Sequence, residues 1–220
     1  MSAVPLGAKL RRRTHKSVAL AQDILMTEAY NAFPDAVLHG GTAIWRCYGG
    51  GRFSEDLDIY LPQVIAASTE RLRRGAVAKG LAELKFKETA STLSAKFSLG
   101  GTVVSFEAAK RAPPTPSVVK PYAMVDGNLM LVRTLSPESL LVEKAAAYAS
   151  RRKVRDLYDA YFLLGLVGDK TSVTGAVDSL VYRYRPPVDE AQLRAIVVVG
   201  AVPSAEAMVG ELRRWARRST

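Results

Sequence analysis

Apolar residues return at near-helical spacing between residues 5 and 32 (Leu10, Val18, Leu20, Ile24, Leu25 and Ala29), which predicts a single helix stopped by Pro34. The apolar run Ala36-Val37-Leu38 reads as a strand, followed by His39-Gly40-Gly41-Thr42 and a helix over residues 43–48. Gly49, Gly50 and Gly51 make a loop. A second strand covers residues 57–61 and ends at Pro62, and residues 64–84 carry a helical pattern. Three short strands follow, over residues 85–89, 93–98 and 102–107, the last two separated by Gly100-Gly101. Pro113, Pro114 and Pro116 mark a loop, and residues 129–132 read as one more short strand. From Ser136 the pattern turns helical. Ser136 is a good N-cap and Pro137 fits the first helical position. Breaks fall near Ser150, Gly168, Pro186-Pro187 and Pro203. The expected organisation is an α/β domain over residues 1–135 and a helical domain over residues 136–220.

Composition narrows the chemistry. The chain has 220 residues, 48% apolar and 24% charged, a globular mix that rules out wholesale disorder. One cysteine, Cys47, excludes an internal disulfide framework and a cysteine-based zinc cluster, and two histidines make a multi-histidine metal site implausible. No apolar run reaches the roughly 18 residues of a membrane helix. The basic N-terminal stretch has no apolar segment behind it, so a secretory signal is not expected. These features point to a cytoplasmic protein with no membrane partner. The balance of 31 Lys+Arg against 21 Asp+Glu gives a net charge of +10, which favours an anionic partner. The charge is uneven. Arg71, Arg73, Arg74, Lys79, Lys85 and Lys87 face only Glu83 in their stretch, and the tail runs Arg213-Arg214-Trp215-Ala216-Arg217-Arg218.

The most informative stretch is Gly40-Gly41-Thr42 followed, after 13 residues, by Asp56-Leu57-Asp58. Two glycines between a strand and a helix let backbone approach a ligand, and a helix N-terminus offers free N–H groups to a phosphate. Thr42 adds a hydroxyl at the same place. Asp56 and Asp58 lie two apart on a strand, so both carboxylates share one face with Leu57 behind. Paired carboxylates facing a phosphate suit Mg2+ (or Mn2+), a hard cation completed by phosphate oxygens and water. The pattern is neither a P-loop nor a dinucleotide fingerprint. Arg52 and Ser54 precede the aspartates and serve either a nucleotide contact or the turn itself.

Gly-Gly-Thr followed by Asp-x-Asp resembles the signature of the DNA polymerase β-like nucleotidyltransferase superfamily. The longer strings His39-Gly40-Gly41-Thr42-Ala43-Ile44 and Arg52-Phe53-Ser54-Glu55-Asp56-Leu57-Asp58 resemble the AbiEii/AbiGii family of toxin nucleotidyltransferases. A second block, Glu143-Lys144-Ala145 with Arg151 and Arg155-Asp156-Leu157-Tyr158-Asp159, is similar to that family's downstream helix pair. The resemblance implies an α/β (α+β) fold with a small mixed sheet, followed by helices that complete a nucleotide and acceptor cleft. It implies transfer of NMP from an NTP to an acceptor, with tRNA favoured and a cognate antitoxin as protein partner. Asp56, Asp58, Lys144 and Asp156 become the expected catalytic residues, and Glu107 the third metal ligand beside the two aspartates. Gly40, Gly41, Thr42, Arg52, Ser54, Arg151, Arg155 and Asp159 become expected nucleotide-binding residues. Lys144 is best placed to neutralise triphosphate, Arg151 and Arg155 to do likewise or hold an acceptor backbone, and Asp156 and Asp159 to orient Lys144 or the acceptor hydroxyl. If the helix is continuous, Lys144, Tyr148, Arg151, Arg155 and Asp159 share one face. Other readings stay open: a protein hydroxyl or small molecule as acceptor, or an inactive nucleotide- or RNA-binding regulator. The intact Asp56/Asp58 pair argues against the inactive form, because unneutralised carboxylates cost stability.

Overall fold

The computed structural model describes residues 5–217, so Arg218 of the basic tail lies outside the described residues. The chain divides into two compact units, Met1–Gly49 with Phe53–Thr134, and Gly50–Arg52 with Leu135–Thr220. It is a mixed α/β fold.

The first unit opens with α1 (Leu6–Lys9) and α2 (Arg13–Ala32) rather than one helix. The break falls at Leu10, which turns extended (φ −89°, ψ 108°) and is fully buried while Arg11, Arg12 and Arg13 stay exposed. Turning the chain there buries the apolar side chain without stacking three like charges along a helix surface. Next come β1 (Val37–His39), α3 (Gly40–Tyr48) and β2 (Asp56–Tyr60). Helix α3 begins at Gly40, three residues earlier than the pattern predicts, and is closed by Gly49 in the left-handed conformation. Helix α4 (Ala66–Ala78) ends six residues before its pattern does, because Gly80 turns left-handed (φ 90°) and the chain enters a strand. Strands β3 (Ala82–Glu88), β4 (Thr92–Leu99) and β5 (Thr102–Ala109) form an antiparallel set. Gly100 and Gly101 both take positive φ in the tight turn joining β4 to β5, as a two-residue hairpin with matching twist requires.

Strands β6 (Ser117–Ala123) and β7 (Leu129–Leu135) complete a seven-stranded sheet of order β3-β4-β5-β2-β1-β7-β6. The sequence pattern misses β6 because Pro121 interrupts it. The strand survives because it lies at the sheet edge, where a missing N–H is tolerated. The central strands β5-β2-β1-β7 mix directions: β1 runs antiparallel to β2 and parallel to β7, and β2 runs parallel to β5. Leu38, Leu57, Ile59, Phe97 and Phe106 are fully buried along this sheet with Leu25 and Met26 of α2.

The second unit is helical. Helix α5 (Pro137–Arg151) starts as the pattern predicts, with the Ser136 side chain accepting from the Ser139 N–H at 3.3 Å and Pro137 in the first turn. It stops at Arg152, which is left-handed (φ 48°), and α6 (Val154–Leu163) begins anew. The break expected near Ser150 thus falls at Arg152, and the common face that a continuous helix would give Lys144 and Asp159 does not form. The Val154 N–H is capped by the Asp189 carboxylate at 2.7 Å. Helices α7 (Thr174–Tyr182), α8 (Leu193–Ile196) and α9 (Ala205–Arg217) follow, with Val177, Leu180, Met208 and Leu212 buried against Leu140, Leu141, Leu157 and Leu163. Gly51 joins this unit through its carbonyl, which accepts from the N–H groups of Val198 and Val199 at 2.9 and 3.1 Å.

Candidate active site

Strand β2 places Asp56 and Asp58 on one face, both half-buried, while Leu57 and Ile59 are sealed into the core behind. Helix α3 rises directly beside them. Gly40 sits at φ 70°, and a Cβ there would lie 2.3 Å from Oδ2 of Asp58. Residue 40 must therefore be glycine twice over, for its backbone conformation and for the carboxylate packed on it. The Thr42 hydroxyl is fully buried and donates to the Asp56 carbonyl at 2.6 Å. It ties the start of α3 to the start of β2 instead of standing open for a ligand. Gln22 fixes the approach to β2, donating from Nε2 to the carbonyls of Ser54 and Glu55 at 2.9 and 3.1 Å.

Two neighbours in register extend the polar face. Glu107 of β5 pairs with Asp58 across the parallel ladder, and His39 of β1 pairs with Asp58 on the other side. Glu107 is exposed and accepts from the Ser94 hydroxyl at 2.9 Å. The His39 ring stacks on Tyr60 at 4.1 Å, and the Arg111 guanidinium lies 4.9 Å from the Tyr60 ring centre. His39 is a member of this face that sequence spacing alone does not single out; its position directly before Gly40 is the only signal.

The carboxylates of Asp56, Asp58 and Glu107 offer oxygen donors, which suit a hard dication. Among the described residues no group of three or more His, Cys, Asp or Glu side chains is gathered to hold a metal by itself. Asp56 and Asp58 fit such an ion only as the protein's share of a shell that phosphate and water complete.

The remaining expected site residues form a second centre, within the second unit. Arg52 is buried and grips Asp159 with two bonds, Nε to Oδ1 at 2.6 Å and a terminal nitrogen to Oδ2 at 2.5 Å. Lys144 Nζ lies 2.9 Å from Oδ2 of Asp159 and 3.7 Å from Oδ1 of Asp156. Arg151 donates to both oxygens of Asp156 at 2.7 and 2.8 Å. Burial alone would raise the Asp159 carboxyl, but the charges of Arg52 and Lys144 override it and hold the group below the ordinary carboxylate range. Three cations face two buried carboxylates, so the cluster keeps one surplus positive charge. Lys144 is not an open cation at a cleft edge: only 7% of it is exposed. Arg155 is exposed on α6 and stands apart from the cluster. The Ser54 side chain is buried and brings only its carbonyl to the Gln22 contact.

The family model described as nucleotidyl transferase AbiEii toxin, type IV TA system, matches residues 23–205 of this chain. Several solved structures share its fold, among them the following two. JHP933 from Helicobacter pylori aligns with 23% identity and a TM-score of 0.59, covering 91% of each chain. MenT4, a nucleotidyltransferase toxin from Mycobacterium tuberculosis H37Rv, aligns with 21% identity and a TM-score of 0.61, covering 94% of this chain and 90% of its own. A search of curated proteins gives no match.

Proposed function

Because this chain belongs to the nucleotidyl transferase AbiEii toxin family, we propose that it transfers NMP from an NTP to an RNA acceptor, tRNA foremost, as the toxin of a toxin–antitoxin pair. The acceptor hydroxyl oxygen bonds to the α-phosphorus, the bond to the β-phosphate bridge breaks, pyrophosphate leaves, and the hydroxyl proton passes to solvent. The observation that carries this reading is the contact of Gly40 with Asp58: helix α3 starts against a carboxylate, so a phosphate drawn to its N–H groups meets Asp56 and Asp58 directly.

Asp56 and Asp58 would hold a divalent cation, Mg2+ or Mn2+, which would supply charge neutralisation for the phosphates. Glu107, in register with Asp58, is the third carboxylate in this proposal. We read the surplus positive charge of the cluster of Arg52, Lys144 and Arg151, together with the exposed Arg155, as directed at phosphate, with Asp156 and Asp159 orienting Lys144. The net charge of +10 supports an RNA rather than a small cationic acceptor. The test is incubation of the protein with each α-labelled NTP, Mg2+ and total tRNA, with and without chelator. Label on tRNA that chelator abolishes supports the reading. Label confined to protein or to a small molecule refutes the RNA acceptor, and absence of transfer with all four nucleotides refutes the enzyme.

A further inference from the structure

The second unit holds a cavity of about 820 Å3 that the proposed transfer site leaves unused. It opens between the end of α5 and the end of α7, and Arg152, Tyr182, Arg183, Tyr184 and Arg185 line it. No Asp or Glu among the described residues lines it. None of the three arginines makes an ion pair among the described residues, unlike Arg52 or Arg151 nearby in the same unit. Glu190 and Glu206 lie close enough to act on Tyr184, but neither lines the cavity nor pairs with these arginines, so the three cations repel one another there and an anionic ligand would relieve that repulsion.

The aromatic groups are as telling as the charges. Tyr182 is 90% exposed, the extreme among the large apolar or aromatic side chains. Tyr184 lies parallel to buried Tyr148, with ring centres 6.1 Å apart, and the Arg213 guanidinium sits 5.8 Å from the Tyr184 ring centre. The Tyr148 hydroxyl donates to the Arg185 carbonyl at 2.7 Å, which pins the Tyr182–Arg185 segment to α5. Arg152, which also lines the cavity, is the sole non-glycine residue with positive φ among the described residues. Its left-handed backbone is held by its N–H bond to the Tyr148 carbonyl at 2.8 Å and by the Val188 N–H bonding its own carbonyl at 3.0 Å. Strain of this kind persists where the surroundings enforce it, and here it presents a guanidinium to the cavity.

An exposed aromatic face, Tyr182, flanked by unpaired guanidiniums supplies the two elements of single-strand nucleic-acid binding: a base stacks on the ring and phosphates meet the cations. We propose that this cleft binds a single-stranded segment of the RNA acceptor, with a base on Tyr182 and backbone phosphates on Arg152, Arg183 and Arg185. The inference rests on the RNA-acceptor reading for its biological meaning, but the binding it asserts is measurable without any transfer reaction.

The test is fluorescence anisotropy of the full chain with a labelled 12-nucleotide single-stranded RNA, at several salt concentrations. Tyr182→Ala should weaken binding about 5- to 150-fold, the range set by loss of one stacked base. Tyr182→Trp should restore it, because any aromatic face serves; since residue 182 is exposed, neither change threatens the fold. Arg183→Ala with Arg185→Ala should reduce the log–log salt slope by about 0.7 for each phosphate no longer engaged. Unchanged binding in Tyr182→Ala and in the double arginine variant overturns the inference. So does displacement of the RNA by free ATP as effectively as by unlabelled RNA, which would assign the cleft to a mononucleotide, or by polyglutamate at equal charge, which would assign it to an acidic protein. The two readings fail separately. If Tyr182→Ala weakens RNA binding while the wild-type chain labels no RNA, the cleft stands and the acceptor assignment falls. If the wild-type chain labels RNA but both cleft variants bind and label it normally, the assignment stands and the cleft inference falls.

Discussion

Replacing Gly40 with alanine separates a glycine needed for its backbone from a glycine needed for the site. Two costs are visible. At φ 70° an L side chain pays about 1–2 kcal/mol for the left-handed conformation. The new Cβ would also stand 2.3 Å from Oδ2 of Asp58, roughly 1 Å closer than ordinary contact allows, so the carboxylate must move by about that amount. A misplacement of about 1 Å at a reacting centre can cost on the order of a hundredfold in rate. Gly80 supplies the control. It has φ 90°, and a Cβ added there would meet nothing within 4 Å, so Gly80→Ala carries the backbone cost alone. Gly80→Ala should lose about 1–2 kcal/mol of stability, a fall in melting temperature of about 2–8 °C for a chain of this size, and Gly40→Ala at least as much, because its Cβ also crowds Asp58. Only Gly40→Ala should lose nucleotide transfer, by about a hundredfold, in a labelled-NTP assay run well below both melting temperatures. Equal activity of the two variants would refute the claim that Gly40 exists to admit the Asp58 carboxylate.

The buried cluster of the second unit should behave as one structural device. Lys144→Ala or Arg52→Ala leaves a buried carboxylate short of a partner and should cost about 3–5 kcal/mol in urea unfolding, whereas Lys153→Ala, whose pairing with Asp189 is half exposed, should cost under about 1 kcal/mol. The Asp159 carboxyl is lowered in the folded chain, so its stabilising contribution is complete above the ordinary carboxylate range and is lost as pH falls through the lowered value. Unfolding followed from neutral pH down past about pH 4 should show the stability gap between wild type and Asp159→Asn closing on the acid side; a gap independent of pH would remove the charge argument. Thr42→Val should cost about 1–3 kcal/mol, because the Asp56 carbonyl loses its donor in a dry place, and the same urea titration checks it.

The legible parts of this chain are those whose causes are local. The Ser136-Pro137 start of α5 follows from capping chemistry within four residues, and the common face of Asp56 and Asp58 follows from the two-residue period of a strand. The misread parts depend on distant surroundings. β6 is hidden by Pro121, which only its edge position excuses. α4 stops at Ala78 because Gly80 turns the chain into a sheet whose other strands come later in sequence. The break expected near Ser150 falls at Arg152, but the burial of Lys144 between Asp156 and Asp159 has no signal in the local pattern. The pairing of Arg52 with Asp159 spans 107 residues and has no local signal at all. The paired glycines point to a close approach at residue 40, but that Asp58 fills the space is a property of the β1–β2 register.

Nucleotidyl transfer with Asp58 at the reacting centre can be tested by comparing two labels on one NTP. Wild-type protein and Asp58→Asn are incubated with Mg2+, tRNA and the same nucleotide carrying label at either the α- or the γ-phosphate. With wild-type protein α-label should enter tRNA and γ-label should be released as pyrophosphate, and Asp58→Asn should do neither while melting close to wild type. Appearance of γ-label on the acceptor would mean phosphoryl rather than nucleotidyl transfer, and undiminished α-label transfer by Asp58→Asn would place the chemistry elsewhere in the chain.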